Sequence, residues 1–177
     1  MAETLAAQRA ALADWLATTQ MTLERKDWRS AFVGYPRADL RDLPVPWAPA
    51  APDVRFARFT LIGSAGLSIF GQQPFDTVAL GGDATWRPIS VDTVLDTTTI
   101  THQHYPHMAA ELDRNAVFPL ERLRNLTVAA EIGGLTDRHF SFMGYQPNWV
   151  MVLDAFAPQL AEQVALERPD AVLLVPV

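Results

Sequence analysis

The sequence predicts an α/β fold, a mostly parallel sheet with flanking helices, preceded by an N-terminal helical arm. Three observations carry this. The run Ala171 to Val175 contains no polar residue and reads as a strand buried on both faces, as strands inside parallel sheets are. It follows directly on "PQLAEQVALE", Pro158 to Glu167, a helix begun by proline, and helix, short turn and apolar strand form half of a βαβ unit. Ala57 to Ile62 reads as another strand, ending in the turn Gly63-Ser64-Ala65-Gly66.

The elements follow in order. Residues 3 to 20 place Leu5, Leu12, Trp15, Leu16 and Thr19 on one side at helical spacing, and a shorter helix is expected around Trp28 to Val33. These helices make residues 1–35 the arm. Residues 36–54 form a connector holding Pro36, Pro44, Pro46, Pro49 and Pro52, because proline removes backbone donors and fixes φ. Residues 55–177 form the α/β domain. After the glycine turn, whose G-x-x-G spacing reads first as a tight turn needing positive φ and second as backbone amides brought close to an anion or cofactor, residues 67 to 85 read as loop. Short strands are expected at Trp86–Ile89 and Thr97–Thr101, and a Pro-started helix at Pro119–Leu126.

Composition bounds the function. With 49% hydrophobic and 19% charged residues the chain is an ordinary globular mixture, large enough to bury a core. The formal net charge of −6 and the absence of a basic cluster argue against nucleic acid or an anionic membrane as partner. Thirteen arginines against one lysine suit a GC-rich bacterial genome. No apolar run approaches the roughly 20 residues of a membrane span and no signal-peptide core opens the chain, so a cytoplasmic location is expected. There is no cysteine, hence no disulfide, no Cys-ligated metal and no thiol nucleophile in these 177 residues.

Two constellations bear chemistry. In "TITHQHYPHMAAELDR", His102, His104 and His107 fall within six residues just after a strand, where i and i+2 share a face. Three imidazoles can hold zinc with one open position. The string "THQHYPH" is similar to the T-H-x-H-x-D-H motif of metallo-β-lactamases, with Pro106 in place of the acidic residue. A metal-dependent hydrolase or zinc-binding protein is therefore one reading. A loop of solvated or hydrogen-bonded histidines is the other.

The second constellation is the ordered set "RFTLIGSAGLSIFGQQPFD", "HQHYPH", "DRNAVFPLERLRNL", "EIGGLTDRHFSFMGY" and "RPDAVLLVPV". It resembles the selenoprotein B family of glycine, sarcosine, betaine and D-proline reductases, from about Arg55 to Val177, and the small standalone members match in length. "NAVFPLERLR" and "RHFSFMGY" are its most specific pieces. The resemblance implies a selenol- or thiol-dependent reductase cleaving a small amine or amino-acid-like substrate. It implies a selenocysteine (or cysteine)-x-x-cysteine motif directly after "VLLVPV", at a helix start where the thiol or selenol pKa is lowered. Selenocysteine is read from a stop codon, so the frame is expected to continue past Val177, the 55–177 domain to be incomplete at that end, and this chain alone to be inactive as a reductase.

Under the same resemblance, His104 and His139 are proton donors or chalcogenolate stabilisers, and Tyr145 donates a hydrogen bond. Arg114 and Asn115 bind a substrate carboxylate, arginine through its bidentate fork. An electron-donor protein such as thioredoxin is the implied partner, with a homo-oligomer open. Each residue has a plainer reading: Arg114 paired with Asp113 or Glu111, Asn115 capping a turn, His139 a satisfied core histidine. A third reading of the whole is a non-catalytic subunit that lends an uncovered sheet edge to a partner.

Overall fold

The computed structural model describes residues 2–41, 44–49 and 53–177. Its elements are α1 (Ala2–Glu24), α2 (Trp28–Ala31), β1 (Arg58–Gly63), β2 (Leu67–Ser68), β3 (Trp86–Ser90), β4 (Thr99–Ile100), α3 (Met108–Leu112), α4 (Leu120–Val128), β5 (Gly134–Leu135), β6 (Arg138–Phe142), α5 (Trp149–Met151), α6 (Ala157–Leu166) and β7 (Ala171–Val175). The fold is α/β. β1 pairs in parallel with β7 on one side and with β5 and β6 in succession on the other, while β3 runs antiparallel against β6. Side-chain alternation along β1 divides the core. Leu61 faces Phe118, Leu120 and Leu123 on the α4 side, and Ile62 faces Phe140, Phe156, Leu160 and Val164 on the α6 side.

Three expectations need correction. β7 spans the expected residues but is an edge strand: Val172 is 42% exposed and Leu174 67%, because only β1 pairs with it. An unbroken apolar run specifies a strand and says nothing about how many neighbours it has. The strand expected at Thr97–Thr101 shrinks to Thr99–Ile100, paired with Leu67–Ser68, because Leu95–Thr97 closes a 3-10 turn and the Thr97 and Thr98 hydroxyls donate back to Val94 and Leu95 carbonyls. β2 itself lies where loop was expected. Pro88 sits in β3 without penalty because that strand is at the other edge of the sheet. α6 is preceded by α5 and a π-helical turn, Val152–Phe156, which periodicity did not signal.

The apolar stripe of α1 is as its spacing predicts. Leu12, Trp15 and Leu23 are buried, Leu5 and Leu16 pack beside them, and they share a cluster with Trp149. Hydrogen bonds stitch the N-terminal segment to the 145–154 region: Tyr35 Oη donates to the Pro147 carbonyl (2.7 Å), Trp149 Nε1 to that of Pro36 (2.8 Å), and Arg9 pairs with Asp154. Four of the connector prolines fall in stretches without regular structure, and Pro52 lies outside the described residues.

Candidate functional site

The carboxyl ends of β1, β6 and β7 meet at Ser64. Its amide donates to the Val175 carbonyl (3.1 Å), its carbonyl accepts from Gly144 N–H (2.9 Å), and its hydroxyl accepts from Val177 N–H (2.9 Å). The loop after β4 is pulled onto this end of the sheet by Thr101 N–H, which donates to the Gly66 carbonyl (3.0 Å). Gly66 has φ +69°, and a Cβ there would lie 2.9 Å from the His102 backbone nitrogen; one on Gly144 would lie 3.1 Å from His102 Nε2. Both glycines are needed so that His102 can pack against the ends of β1 and β6.

His102 is 4% exposed. Its Nδ1 accepts the His104 amide (3.0 Å), which places the neutral ring's proton on Nε2. Burial, then the neighbouring His104 and His107, lowers its pKa to about 4, so it is neutral at pH 7. His107 Nε2 donates to the His102 carbonyl. Two of the three clustered imidazoles thus spend a ring nitrogen on loop backbone, and among the described residues no group of three or more His, Asp or Glu is arranged to hold a metal ion.

His104 meets the His102 ring in a T-shaped contact with centroids 5.7 Å apart and packs against Tyr145 and Trp28. Its ring stacks on Tyr145 with centroids 4.1 Å apart and planes 18° from parallel, and meets the Trp28 ring in a T-shaped contact with centroids 4.7 Å apart. Burial lowers the His104 pKa. It pushes the Tyr145 phenol up to about 12, with a further push from Tyr35, so this hydroxyl stays protonated and donates to the Leu80 carbonyl (3.3 Å). His104 and Trp28 line a cavity of about 540 Å³ together with Leu23, Glu24, Lys26, Thr77, Val78, Leu80 and Gln103. An aromatic wall with a few polar groups is the usual make-up of a small-molecule site.

The other expected residues lie elsewhere. His139 is fully buried in β6; its Nδ1 accepts the Leu61 amide (3.1 Å), and its Nε2 is buried without a partner. It does not line the cavity. Asn115 is engaged in capping: its Oδ1 accepts from Glu121 N–H (3.1 Å), at the start of α4, and its Nδ2 donates to Asp113 Oδ1 (2.8 Å) and Glu121 Oε2 (2.9 Å). Arg114 donates to the Ala110 carbonyl, and its Nε is buried without a partner, as is the Tyr105 hydroxyl. Trp28 and Lys26 escaped the sequence reading because the arm carries no motif. Trp28 reaches His104 across 76 positions, and only packing joins them.

No family model matches the chain, and no solved structure matches it. The chain is similar to the D-proline reductase subunit gamma of Acetoanaerobium sticklandii, 27% identical over 131 residues that cover 74% of this chain and 53% of the relative. It spans about half the length of that relative. The similarity supports a relationship to the reductase family that the sequence motifs resemble.

Proposed function

We propose that this chain is the substrate-holding part of a cytoplasmic reductase that cleaves a C–N bond in a small amine or amino-acid-like molecule. The observation that carries the reading is the cavity walled by Trp28 and by His104, whose ring is held by stacking on Tyr145. The similarity to a D-proline reductase subunit supports the reaction class. Reductive cleavage breaks C–N, forms C–H and N–H, and takes two electrons and two protons. A thiol or selenol pair oxidised to a disulfide or selenenyl sulfide supplies the electrons. The 177 residues hold no cysteine, so that pair comes from another segment or subunit. It would reach the substrate in the cavity beside His104.

In this reading the neutral His104 accepts or relays a proton at the bound molecule, while the high pKa of Tyr145 makes it a hydrogen-bond donor and not a base. Neutral His102 sets the loop. A thioredoxin-like donor would re-reduce the chalcogen pair. The test is direct. Titration calorimetry with D-proline, glycine, sarcosine and betaine should find at least one ligand, and His104→Ala should weaken it. With dithiothreitol alone, the chain should release no ring-opened or deaminated product. Turnover by these 177 residues alone, or no binding of any of the four at millimolar concentration, overturns the reading.

A further inference from the structure

The cavity beside His104 is lined by one cationic and one anionic side chain, Lys26 and Glu24, both from the end of α1. Lys26 is the only lysine in the chain. Its ammonium has no hydrogen-bond or ion-pair partner among the described residues, while Glu24 takes one hydrogen bond, from Gln20 Nε2 (3.0 Å). His104 supplies no compensating charge, because its lowered pKa keeps it neutral at pH 7. A carboxylate entering this cavity therefore meets a single cation.

Resting on the amino-acid-like ligand proposed above, we propose that Lys26 holds the carboxylate of the molecule bound in this cavity, with Glu24 facing its amine. Separation of the two charges along one helix end suits a zwitterion: each ligand charge finds its opposite, and Trp28 offers a ring face to the cationic end. The anchor belongs to the N-terminal arm, so the arm is part of the binding site as well as a packing element.

The backbone at Lys26 allows a clean test. It has φ 57° and ends α1 in a Schellman arrangement, with Lys26 N–H on the Leu23 carbonyl (2.9 Å) and Asp27 N–H on that of Thr22 (3.2 Å). Ala130 occupies the same left-handed position after α4, with φ 56°. The positive φ is thus a property of the cap and not of the ligand site, and glycine suits both positions. Lys26→Gly and Ala130→Gly should each raise Tm by roughly 2–4 °C.

Calorimetry on the full chain, with D-proline, cyclopentanecarboxylate and pyrrolidine as probes, reads the ligand role. Lys26→Gly should weaken both carboxylates at least about tenfold, Lys26→Arg should retain most of the affinity, and Ala130→Gly should change nothing. Unchanged carboxylate binding by Lys26→Gly overturns the anchor, as does a wild-type protein that takes pyrrolidine and refuses cyclopentanecarboxylate. Binding of none of the three overturns the anchor, and failure of glycine, sarcosine and betaine as well overturns the ligand reading. Lys26-dependent binding of cyclopentanecarboxylate without any amino acid leaves the anchor standing and removes the amino-acid reductase reading.

Discussion

Acidification from pH 7 to pH 4.5 should cost this protein far more stability than its carboxylates explain, and His139 shows why. Its Nδ1 accepts the Leu61 amide at 3.1 Å, so protonation would set two N–H groups against each other inside the sheet. Burial is the largest cause of its lowered pKa, with Arg124 adding to it and Glu167 opposing, and the result is about 4 against an ordinary 6.5. The folded state therefore binds this proton only below about pH 4, while the unfolded chain binds it from 6.5 downward. Stability from this histidine is fully present above pH 6.5 and is lost as pH falls toward 4. The loss approaches about 3 kcal/mol, near 1.4 kcal/mol per pH unit in mid-range. His102 is built alike, with Nδ1 on the His104 amide and a pKa near 4, and adds a similar amount. Against a total of about 5–15 kcal/mol, two such losses bring the protein to the edge of unfolding. Urea unfolding midpoints at half-unit pH steps measure it. His139→Asn, which cannot titrate, should lower stability at pH 7 yet remove about half of the slope between pH 6 and 4.5. A flat stability profile over that range in the wild type, or an unchanged slope in the variant, would refute the reasoning.

Three further outcomes follow from the packing. Asn115→Ala removes the side chain that accepts from the Glu121 amide, so α4 should lose its cap and the fold about 1–2 kcal/mol, read by chemical denaturation. Gly133→Ala would place a Cβ 2.3 Å from the Phe56 carbonyl carbon and 2.7 Å from the Ala57 nitrogen; neither is a flexible side-chain end, so little or no folded protein should appear in near-UV circular dichroism. Zinc at tenfold excess should leave Tm unchanged, since His102 Nδ1 and His107 Nε2 are engaged on loop backbone; a clear rise in Tm that His107→Ala abolishes would restore the metal reading.

The sequence by itself determined the local facts. The 3.6-residue spacing of Leu5, Leu12, Trp15 and Leu16 forms the buried stripe of α1, and the apolar run Ala171–Val175 is a strand to the residue. Pro158 falls in the first turn of α6, directly after the π-helical turn. These are short-range consequences of side-chain periodicity and backbone sterics. Tertiary structure decided everything that depends on neighbours remote in the chain. β7 is an edge because β1 alone pairs with it, a matter of strand order that no window of sequence encodes. His139 and His104 look equivalent as polar residues beside strands, yet β6 lies between β3 and β1 with three successive residues buried, which puts one in the core while the other stacks on Tyr145 at the cavity. Lys26 and Trp28, unremarked in a helical arm, become the wall facing His104 because α1 packs on the segment around Trp149. A site is a set of side chains brought together by packing, and packing is decided by the whole core at once.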